Sequence, residues 1–235
     1  MNILAIETST ESCSVALEAG GQVLHRYRHA PRQHAELLLP WVQELLAEAK
    51  ISFDDLDVVA FSRGPGSFTS VRIGIGVVQG IAWASDCPVV PISSLAATAQ
   101  VAADQALANK TQPDQAVKTA LVALDARMGE VFTGLYRLDA NGFMQLDGEE
   151  QVCPPEAVEC PSGGDAYGIG IGFERYPDLC PQREQLAGVI ADIWPQAQAV
   201  LALAKNWLIE NEPLPPEQAQ PVYLRDNVAK KTADR

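Results

Sequence analysis

The sequence predicts an α/β protein made of two related lobes, each with a mixed β-sheet flanked by helices. Apolar runs of strand-like composition alternate with Leu- and Ala-rich stretches of helical spacing, and a β-β-β pattern occurs twice. A polar segment at residues 109–118 separates the two occurrences. We therefore predict an N-terminal lobe at residues 1–108 and a C-terminal lobe at residues 109–235, whose last segment is expected to pack back on the first lobe.

The first half contains five predicted strands and three predicted helices. The first helix has Leu38, Val42 and Leu45 at helical spacing, and Trp41 widens its apolar stripe beyond what one core contact requires. A turn at Ala19-Gly20-Gly21 is expected to join the second and third strands. The predicted strands cover residues 3–8, 13–17, 22–27, 56–62 and 89–92, and the predicted helices cover residues 33–50, 68–84 and 94–108.

The second half repeats the beginning of the first. Its opening strand carries Asp125 at its end, as the first strand of the chain carries Glu7. Two more strands and a glycine turn follow, which completes the second β-β-β unit. The predicted elements are strands at residues 120–125, 130–138, 143–146 and 166–171, a short helix at 154–158 and a longer helix at 197–209.

Composition limits the function classes. The chain has 235 residues, 47% of them hydrophobic, so a large core is expected. The formal net charge of −13 argues against a protein that grips a nucleic-acid backbone by itself, because that requires clustered Lys and Arg. Neither a signal peptide nor an apolar run of about 20 residues is visible. The cysteines are scattered without a C-x-x-C pair, so free thiols in a cytoplasmic protein are expected for Cys13, Cys87, Cys153, Cys160 and Cys180.

The segment Ser62-Arg-Gly-Pro-Gly-Ser-Phe-Thr-Ser-Val-Arg-Ile-Gly74 organises the chain, because it joins the fourth strand to the second helix. Gly64, Pro65 and Gly66 predict a sharp turn, and Ser67 or Thr69 is expected to cap the helix. Free N–H groups there would suit a phosphate or a carboxylate, whereas an ordinary strand-to-helix connection is the favoured alternative for a lone glycine turn. The spacing is neither that of a P-loop nor that of a dinucleotide fingerprint.

Three motifs resemble those of the TsaB (YeaZ) family. Besides the segment above, they are Leu124-Asp-Ala-Arg-Met-Gly-Glu-Val131 and Pro221-Val-Tyr-Leu-Arg225, and the resemblance covers nearly the whole chain. The duplicated unit also resembles the actin, sugar-kinase and Hsp70 type of ATPase architecture. The residues assigned to the family's signature loop are Arg63, Gly64, Pro65, Gly66, Ser67, Phe68 and Arg72.

The resemblance implies a non-catalytic cytoplasmic subunit that binds and activates the transferase subunit TsaD. With TsaD and the ATPase TsaE, it would form the threonylcarbamoyl group on N6 of adenosine next to the anticodon in tRNAs that read codons starting with A. It implies a homodimer when alone, contact with tRNA only through the complex, and no membrane. The isolated chain would bind no cofactor, and the assembled complex would use ATP.

The resemblance also places the partner surface on the two N-terminal helices. The second helix carries a stripe of small residues that would let another helix approach, although packing on its own sheet is an equal alternative. The predicted interface residues are Leu38, Trp41, Leu45, Gly76 and Gly80.

No catalytic residue and no metal ligand is predicted, and nucleotide-binding residues stay unassigned. Ser94 and Thr98 stand where TsaD is expected to hold a metal with a His-x-x-x-His pair, and hydroxyls are poor ligands for a transition metal. Ser9 replaces the glycine that lets a phosphate approach the first hairpin of the ATPase architecture. Asp125 suggests a general base or magnesium ligand, but with Arg127 nearby a structural ion pair is an equal interpretation.

Two other function classes are weighed. A stand-alone nucleotide-dependent kinase or acyltransferase of the same fold is favoured slightly by the glycine turn and opposed by the missing glycine at Ser9. A glycoprotease-like peptidase is opposed by the lack of a G-x-S-x-G elbow. It is also opposed by the scarcity of histidine, since only His25, His29 and His34 are available for a Ser-His-Asp arrangement.

Overall fold

Each half of the molecule contains a β-sheet, and five strands of each sheet are arranged in the same topology. A computed structural model describes residues 1–108 and 116–225, so most of the predicted linker at 109–118 lies outside the described residues. With the strands numbered along the chain, the first sheet has the order third, second, first, fourth and fifth. The second sheet has the order eighth, seventh, sixth, tenth and eleventh, and the ninth strand pairs with the seventh. In both sheets the first three strands are antiparallel and the last two are parallel to the first. The predicted pair of related α/β lobes with mixed sheets is confirmed.

The N-terminal half follows the predicted order of elements. Helices cover both faces of this sheet, so residues on both sides of its central strands are buried. This is why the sequences of these strands are mostly apolar. The first helix ends in a left-handed cap at Lys50, one residue beyond its last helical residue. The elements are β1 Ile3–Glu7, β2 Ser12–Ala19, β3 Gln22–His29, α1 His34–Ala49, β4 Val58–Ser62, α2 Phe68–Ala84, β5 Val89–Ile92 and α3 Ser94–Ala108.

The C-terminal half has the predicted strands and several elements that the pattern did not predict. Two short strands (β9 and β11) and a one-turn helix (α4) were missed because three or four residues give no measurable periodicity. The predicted helix at 154–158 is a 3-10 turn at Pro155–Ala157. The elements are β6 Thr119–Arg127, β7 Glu130–Leu138, β8 Met144–Leu146, β9 Gln151–Cys153, β10 Ala166–Ile169, α4 Gly172–Arg175, β11 Gly188–Ile190 and α5 Ala197–Glu210.

The strand predicted at 166–171 is too long, and its glycines explain why. The strand ends at Ile169, and Gly170 adopts φ +101°, a left-handed conformation that turns the chain towards α4. A Cβ atom at Gly170 or Gly172 would lie within 2.8 Å of the Ala123 carbonyl oxygen. The glycines of this segment therefore belong to a turn packed closely on β6.

Each sheet is covered on its inner face by a helix from the other half of the sequence. α3 contacts β6, β7 and β8, whereas α5 contacts β1, β2 and β4. α3 also packs on α5, and the largest apolar core fills the space between the two sheets. A second core lies between the first sheet and the pair α1 and α2. This crossing of helices fixes the two sheets relative to each other and creates a cleft where their first hairpins meet.

Two cysteines form a disulfide, which contradicts the expectation of free thiols throughout. Cys160 and Cys180 are joined, and their Cα atoms are 5.7 Å apart. The fold brings together two loops that are 20 residues apart in sequence, and no short-range motif predicts that contact. Cys13, Cys87 and Cys153 are free, and burial raises the pKa of Cys13 to about 12 and that of Cys87 to about 11. Within the described residues, no helix is both long and apolar enough to span a membrane.

Candidate functional site in the cleft between the two sheets

The loop between β4 and α2 (residues 63–67, here the β4–α2 loop) is a junction of three parts of the chain. The amide of Ser67 donates to the carbonyl oxygen of Ser9 in the β1–β2 turn at 2.7 Å. The carbonyl of Gly64 accepts from the Ser94 amide at the start of α3, and the carbonyl of Arg63 accepts from Val222 at 2.9 Å. The C-terminal segment thus lies against the first lobe through a main-chain hydrogen bond.

Glycine is required in this junction by close contact. A Cβ atom on Gly66 would lie 2.2 Å from the Ser9 carbonyl oxygen, far inside the contact distance of real side chains. In the second turn of α2, a Cβ atom on Gly74 would lie 2.2 Å from the hydroxyl oxygen of Thr8. The β1–β2 turn is therefore pressed against both the loop and the helix.

The start of α2 is open to the cleft. Ser67 occupies the N-cap position, but its side chain makes no capping bond, contrary to the sequence prediction; its Oγ accepts from Ser70 instead. Among the described residues, no acceptor is present for the amides of Phe68, Thr69 and Ser70. Three N–H groups at the positive end of a 17-residue helix therefore remain available.

Glu7, at the end of β1, is sealed beneath this junction. Its side chain is fully buried, and its Oε1 accepts from the Ser9 amide at 2.5 Å. Its Oε2 has no hydrogen-bond partner among the described residues. Burial raises the pKa of Glu7 above its ordinary value, and the hydrogen bond from the Ser9 amide offsets only part of that effect.

Asp125, the corresponding carboxylate of the second half, is held by arginines. Arg175 and Arg127 form ion pairs with it, the latter at 3.1 Å, and Tyr176 donates to it at 2.7 Å. Burial by itself would raise the pKa of Asp125, but the bonds from Tyr176, the Arg127 amide and Arg175 outweigh it, so the pKa is lowered. The structural ion pair, one of the two interpretations from sequence, is the arrangement present.

The same arginines connect the two halves of the molecule. Glu11, in the β1–β2 turn, accepts from Arg127 at 2.8 Å and from Arg175 at 3.1 Å. Glu11, Asp125, Arg127, Arg175 and Tyr176 thus form one network of ion pairs and hydrogen bonds in the cleft. The sequence analysis did not single out Glu11, Arg175 or Tyr176, because they are far apart in sequence and belong to no motif.

An aromatic and arginine stack stands at the mouth of the cleft. The Arg72 guanidinium lies 3.6 Å from the ring centroid of Phe68, and its Nε donates to the Tyr223 hydroxyl at 2.8 Å. The two rings are 5.8 Å apart, with an angle of 32° between their planes. Phe68 is 53% exposed and Tyr223 is 46% exposed. Two of the three family motifs thus meet here.

The cleft has a volume of about 1310 Å³. It is lined by the β1–β2 turn, the β4–α2 loop, the start of α2, the end of β6 and the C-terminal segment. Four arginines and two carboxylates are among its lining residues: Arg32, Arg127, Arg175, Arg225, Glu11 and Asp125. Arg127 and Arg175 are paired with those two carboxylates, and Arg225 is paired with Glu130. Arg32 forms no ion pair within the described residues.

The positions considered for a metal contain satisfied hydroxyls. The Ser94 hydroxyl lies 2.6 Å from that of Ser62, and Thr98 donates to the Ser94 carbonyl at 2.7 Å. His34 is buried, with Nε2 3.1 Å from the Ser12 carbonyl oxygen, while His29 packs edge-on against Trp194. In the ranges 1–108 and 116–225, no group of three or more His, Cys, Asp or Glu side chains could hold a metal ion.

The predicted interface residues fall into two groups. Leu38, Trp41 and Leu45 are buried in the core beneath α1, at most 8% exposed, so they contribute to the packing of their own lobe and present no side chain to a partner. Gly76 and Gly80 lie on the exposed face of α2, where a Cβ atom would meet nothing within 4 Å. The interface itself stays a prediction, and only its α2 members are accessible.

Comparisons with known proteins agree over the full length of the chain. A family model described as "TsaD: tRNA N6-adenosine threonylcarbamoyltransferase" matches residues 22–233. The tRNA threonylcarbamoyladenosine biosynthesis protein TsaB of Escherichia coli (strain K12) is 38% identical over 97% of this chain and 96% of its own length. The protein of the same name from Haemophilus influenzae is 36% identical over 97% of this chain and 95% of its own length.

A solved structure agrees with the sequence matches. YeaZ from Pseudomonas aeruginosa is 43% identical, covers 95% of this chain and 99% of its own, and superposes with a TM-score of 0.84. Both the fold and the full length are thus shared with proteins named TsaB or YeaZ. The chain belongs to the TsaB (YeaZ) family, within the wider group described by the TsaD family model.

Proposed function

We propose that this chain is the non-catalytic subunit of a cytoplasmic complex that makes threonylcarbamoyladenosine in tRNA. In this proposal it binds and activates the transferase TsaD, together with the ATPase TsaE, in forming the threonylcarbamoyl group on N6 of adenosine next to the anticodon. The observation that carries the proposal is the match, over nearly the whole chain, to proteins named for tRNA threonylcarbamoyladenosine biosynthesis.

The surroundings of the two carboxylates near the cleft support a non-catalytic role for this chain. A general base needs a carboxylate or imidazole that can reach a substrate proton. Glu7 is buried against the Ser9 amide, and Asp125 is occupied by two arginines and Tyr176. We therefore propose that the isolated chain binds no metal and hydrolyses no ATP, and that the assembled complex uses the ATP.

The central experiment is reconstitution. This chain and TsaD would be co-purified, and the modification of tRNA by TsaD and TsaE would be measured with and without the chain. We expect a stable complex and modification that depends on the chain. A TsaD that modifies tRNA equally well in its absence would contradict the proposal.

We propose that α2 forms the helix-to-helix contact, in a homodimer when the chain is alone and with TsaD in the complex. Gly76 and Gly80 leave an open track on the exposed face of this helix, which allows a second backbone to come close. Gly80→Arg should separate the partners while the lobe stays folded, because its Cβ atom meets no neighbour within 4 Å. Sizing chromatography and thermal melts would follow both effects.

The control for Gly80→Arg is Ile209→Arg. Ile209 is 76% exposed on α5, so it tests the effect of a new surface arginine away from α2. We expect this control to keep the homodimer and the complex with TsaD. If Gly80→Arg stayed folded and still assembled and supported modification, α2 would not be the contact.

We also propose that tRNA is bound through the complex, because the free chain has a net charge of −13. Filter binding with tRNA should show weak, unspecific binding to the chain alone. Salt-dependent submicromolar affinity of the free chain would overturn this part of the proposal.

A further inference from the structure

The stack of Phe68, Arg72 and Tyr223 is a prebuilt aromatic surface. The Arg72 guanidinium lies 3.6 Å from the centroid of the Phe68 ring and 5.5 Å from that of Tyr223, and its Nε donates to the Tyr223 hydroxyl. Aromatic side chains exposed by half their area are costly to solvate, and this pair is held by parts of the chain that are more than 150 residues apart. The rings are therefore positioned before any ligand arrives.

Groups suited to a phosphate lie directly beside this surface. Phe68 is itself the first residue of α2, so the unoccupied amides of Phe68, Thr69 and Ser70 border its ring. Ser9 lines the same cleft, is 1% exposed, and its Oγ has no hydrogen-bond partner among the described residues. A helix start with free amides and a hydroxyl without a partner binds an oxyanion without rearrangement.

The charged side chains that line the cleft also favour the binding of an anion. Arg32 lines it and forms no ion pair within the described part of the chain, and Arg127 is 64% exposed beside it. Even when Glu130, the partner of Arg225, is counted with Glu11 and Asp125, the cleft has four arginines to three carboxylates, whereas the whole protein has a formal charge of −13. An anion is therefore attracted to the cleft and repelled by most of the remaining surface.

We propose that Phe68 and Tyr223 form a stacking platform for one unpaired base of the RNA substrate, whose phosphate lies at the start of α2. The inference rests on the proposed function, since that function supplies RNA as the substrate. Unpaired bases stack on aromatic rings and on arginine planes, and this mode of recognition is typical of single-stranded RNA loops. The platform stands at the open mouth of the cleft, where a continuous strand can enter and leave.

Cross-linking would locate the contact. A hairpin RNA with an unpaired loop would be bound to the assembled complex of this chain, TsaD and TsaE, and irradiated to form direct base-to-protein bonds. After cleavage at Lys and Arg, we expect the cross-linked base on the peptide of residues 64–72, which contains Phe68, or on that of residues 206–225, which contains Tyr223. Fully paired RNA of equal length should give no such product, and cross-links only elsewhere would overturn the proposal.

Affinity measurements on matched variants would test the stacking itself. Phe68→Leu removes the ring but keeps an apolar side chain at an exposed position, and should weaken binding of the hairpin by the complex on the order of tenfold. Phe68→Tyr should restore it, because a ring returns. Tyr27→Leu removes another exposed aromatic, 41% exposed on β3 and outside both α2 and the cleft lining, and should leave RNA affinity unchanged.

The outcomes separate this inference from the proposed function. If the wild-type chain supports tRNA modification but Phe68→Leu binds the hairpin as tightly as wild type, the platform is wrong and the function stands. If Phe68→Leu instead prevents assembly with TsaD, the surface is a protein contact and the inference fails. Protection of the same peptides by free ATP, with no RNA cross-link, would assign the platform to a free nucleotide and overturn the RNA proposal.

Discussion

Glu7 and Asp125 stand near the ends of the first strands of two sheets with the same strand order, yet their surroundings are opposite. Glu7 is fully buried, bonded through one oxygen to the Ser9 amide, and its pKa is raised by burial. Asp125 is paired with Arg127 and Arg175, and its pKa is lowered because these bonds and that of Tyr176 outweigh its partial burial. Equivalent positions in a duplicated fold thus hold carboxylates with opposite electrostatic environments.

The turn that follows each strand explains the difference. The β1–β2 turn is pressed onto the β4–α2 loop, since the Ser67 amide donates to Ser9 and Gly66 leaves no room for a side chain. The β6–β7 turn has Arg127, Met128 and Gly129 all at positive φ, and Met128 is 69% exposed. Arginine side chains hold this turn, since Arg225 donates to the Arg127 carbonyl oxygen and Arg127 pairs with Glu11. Main-chain contact with a neighbouring loop seals one carboxylate, whereas a turn held by side chains leaves room for arginines around the other.

The largest expected effect comes from filling the contact that seals Glu7. Gly66→Ala would place a Cβ atom 2.2 Å from the Ser9 carbonyl oxygen, where backbone must shift, and should lower the free energy of unfolding by about 3 kcal/mol. Gly76→Ala is the matched control, because nothing lies within 4 Å of its Cβ position and alanine favours the helix. Denaturant melts that gave equal stabilities for the two variants would contradict the close contact.

The next effect in size is expected from reducing the disulfide, which should lower the stability of the segment that holds Asp125. Cys160 and Cys180 enclose the segment that carries Arg175 and Tyr176, and closing a loop of 20 residues is worth about 3 kcal/mol. A melt in the presence of dithiothreitol should therefore show a lower midpoint. Cys160→Ser should reproduce it, and Cys153→Ser, which removes a free thiol, should not.

Neutralising the paired carboxylate should have an intermediate effect. Asp125→Asn keeps the shape but leaves Arg127 and Arg175 without their partner, at a cost of about 2 kcal/mol at neutral pH. Because the folded pKa lies below 3.8, the wild type has this stability above pH 3.8 and loses it as the pH falls through the folded value. Asp125→Asn should therefore flatten the acid limb of stability against pH.

Neutralising the buried carboxylate should have the smallest effect, with the opposite dependence on pH. The folded pKa of Glu7 lies above 4.5, so the folded state holds its proton more tightly, and stability falls as the pH rises from 4.5 through the folded value. Glu7→Gln removes that loss and should raise stability at pH 8 relative to wild type. Equal slopes for wild type and variant in urea melts across this range would show that Glu7 does not titrate differently on folding.

The repeated fold could be predicted because it depends on local patterns. Period-two and apolar runs located β1 to β7, and the carboxylates Glu7 and Asp125 marked the two repeats. The β4–α2 loop was also found, since Gly64, Pro65 and Gly66 restrict the backbone locally. The side-chain cap predicted from Ser67 or Thr69 is absent, and the Ser67 Oγ accepts a hydrogen bond from the Ser70 hydroxyl instead.

The site was less predictable because its parts meet only in three dimensions. Glu11, Arg175 and Tyr176 gave no signal, since no motif contains them and their contacts join residues that are 50 to 164 positions apart. The buried positions of Leu38, Trp41 and Leu45 were misjudged for a related reason. An apolar stripe on a helix shows that one face is covered, and it does not show whether the cover is the protein's own sheet or a partner.

By itself, the sequence determined the order of the elements, their duplication and the family, because each depends on spacing within a few residues or on a contiguous motif. The tertiary structure decided which carboxylate is sealed and which is paired, which cysteines are joined, and where the two family motifs containing Phe68 and Tyr223 meet. The physical reason is that burial, ion pairing and disulfide formation depend on distances between residues far apart in the chain, and those distances exist only after the two sheets have packed around their exchanged helices.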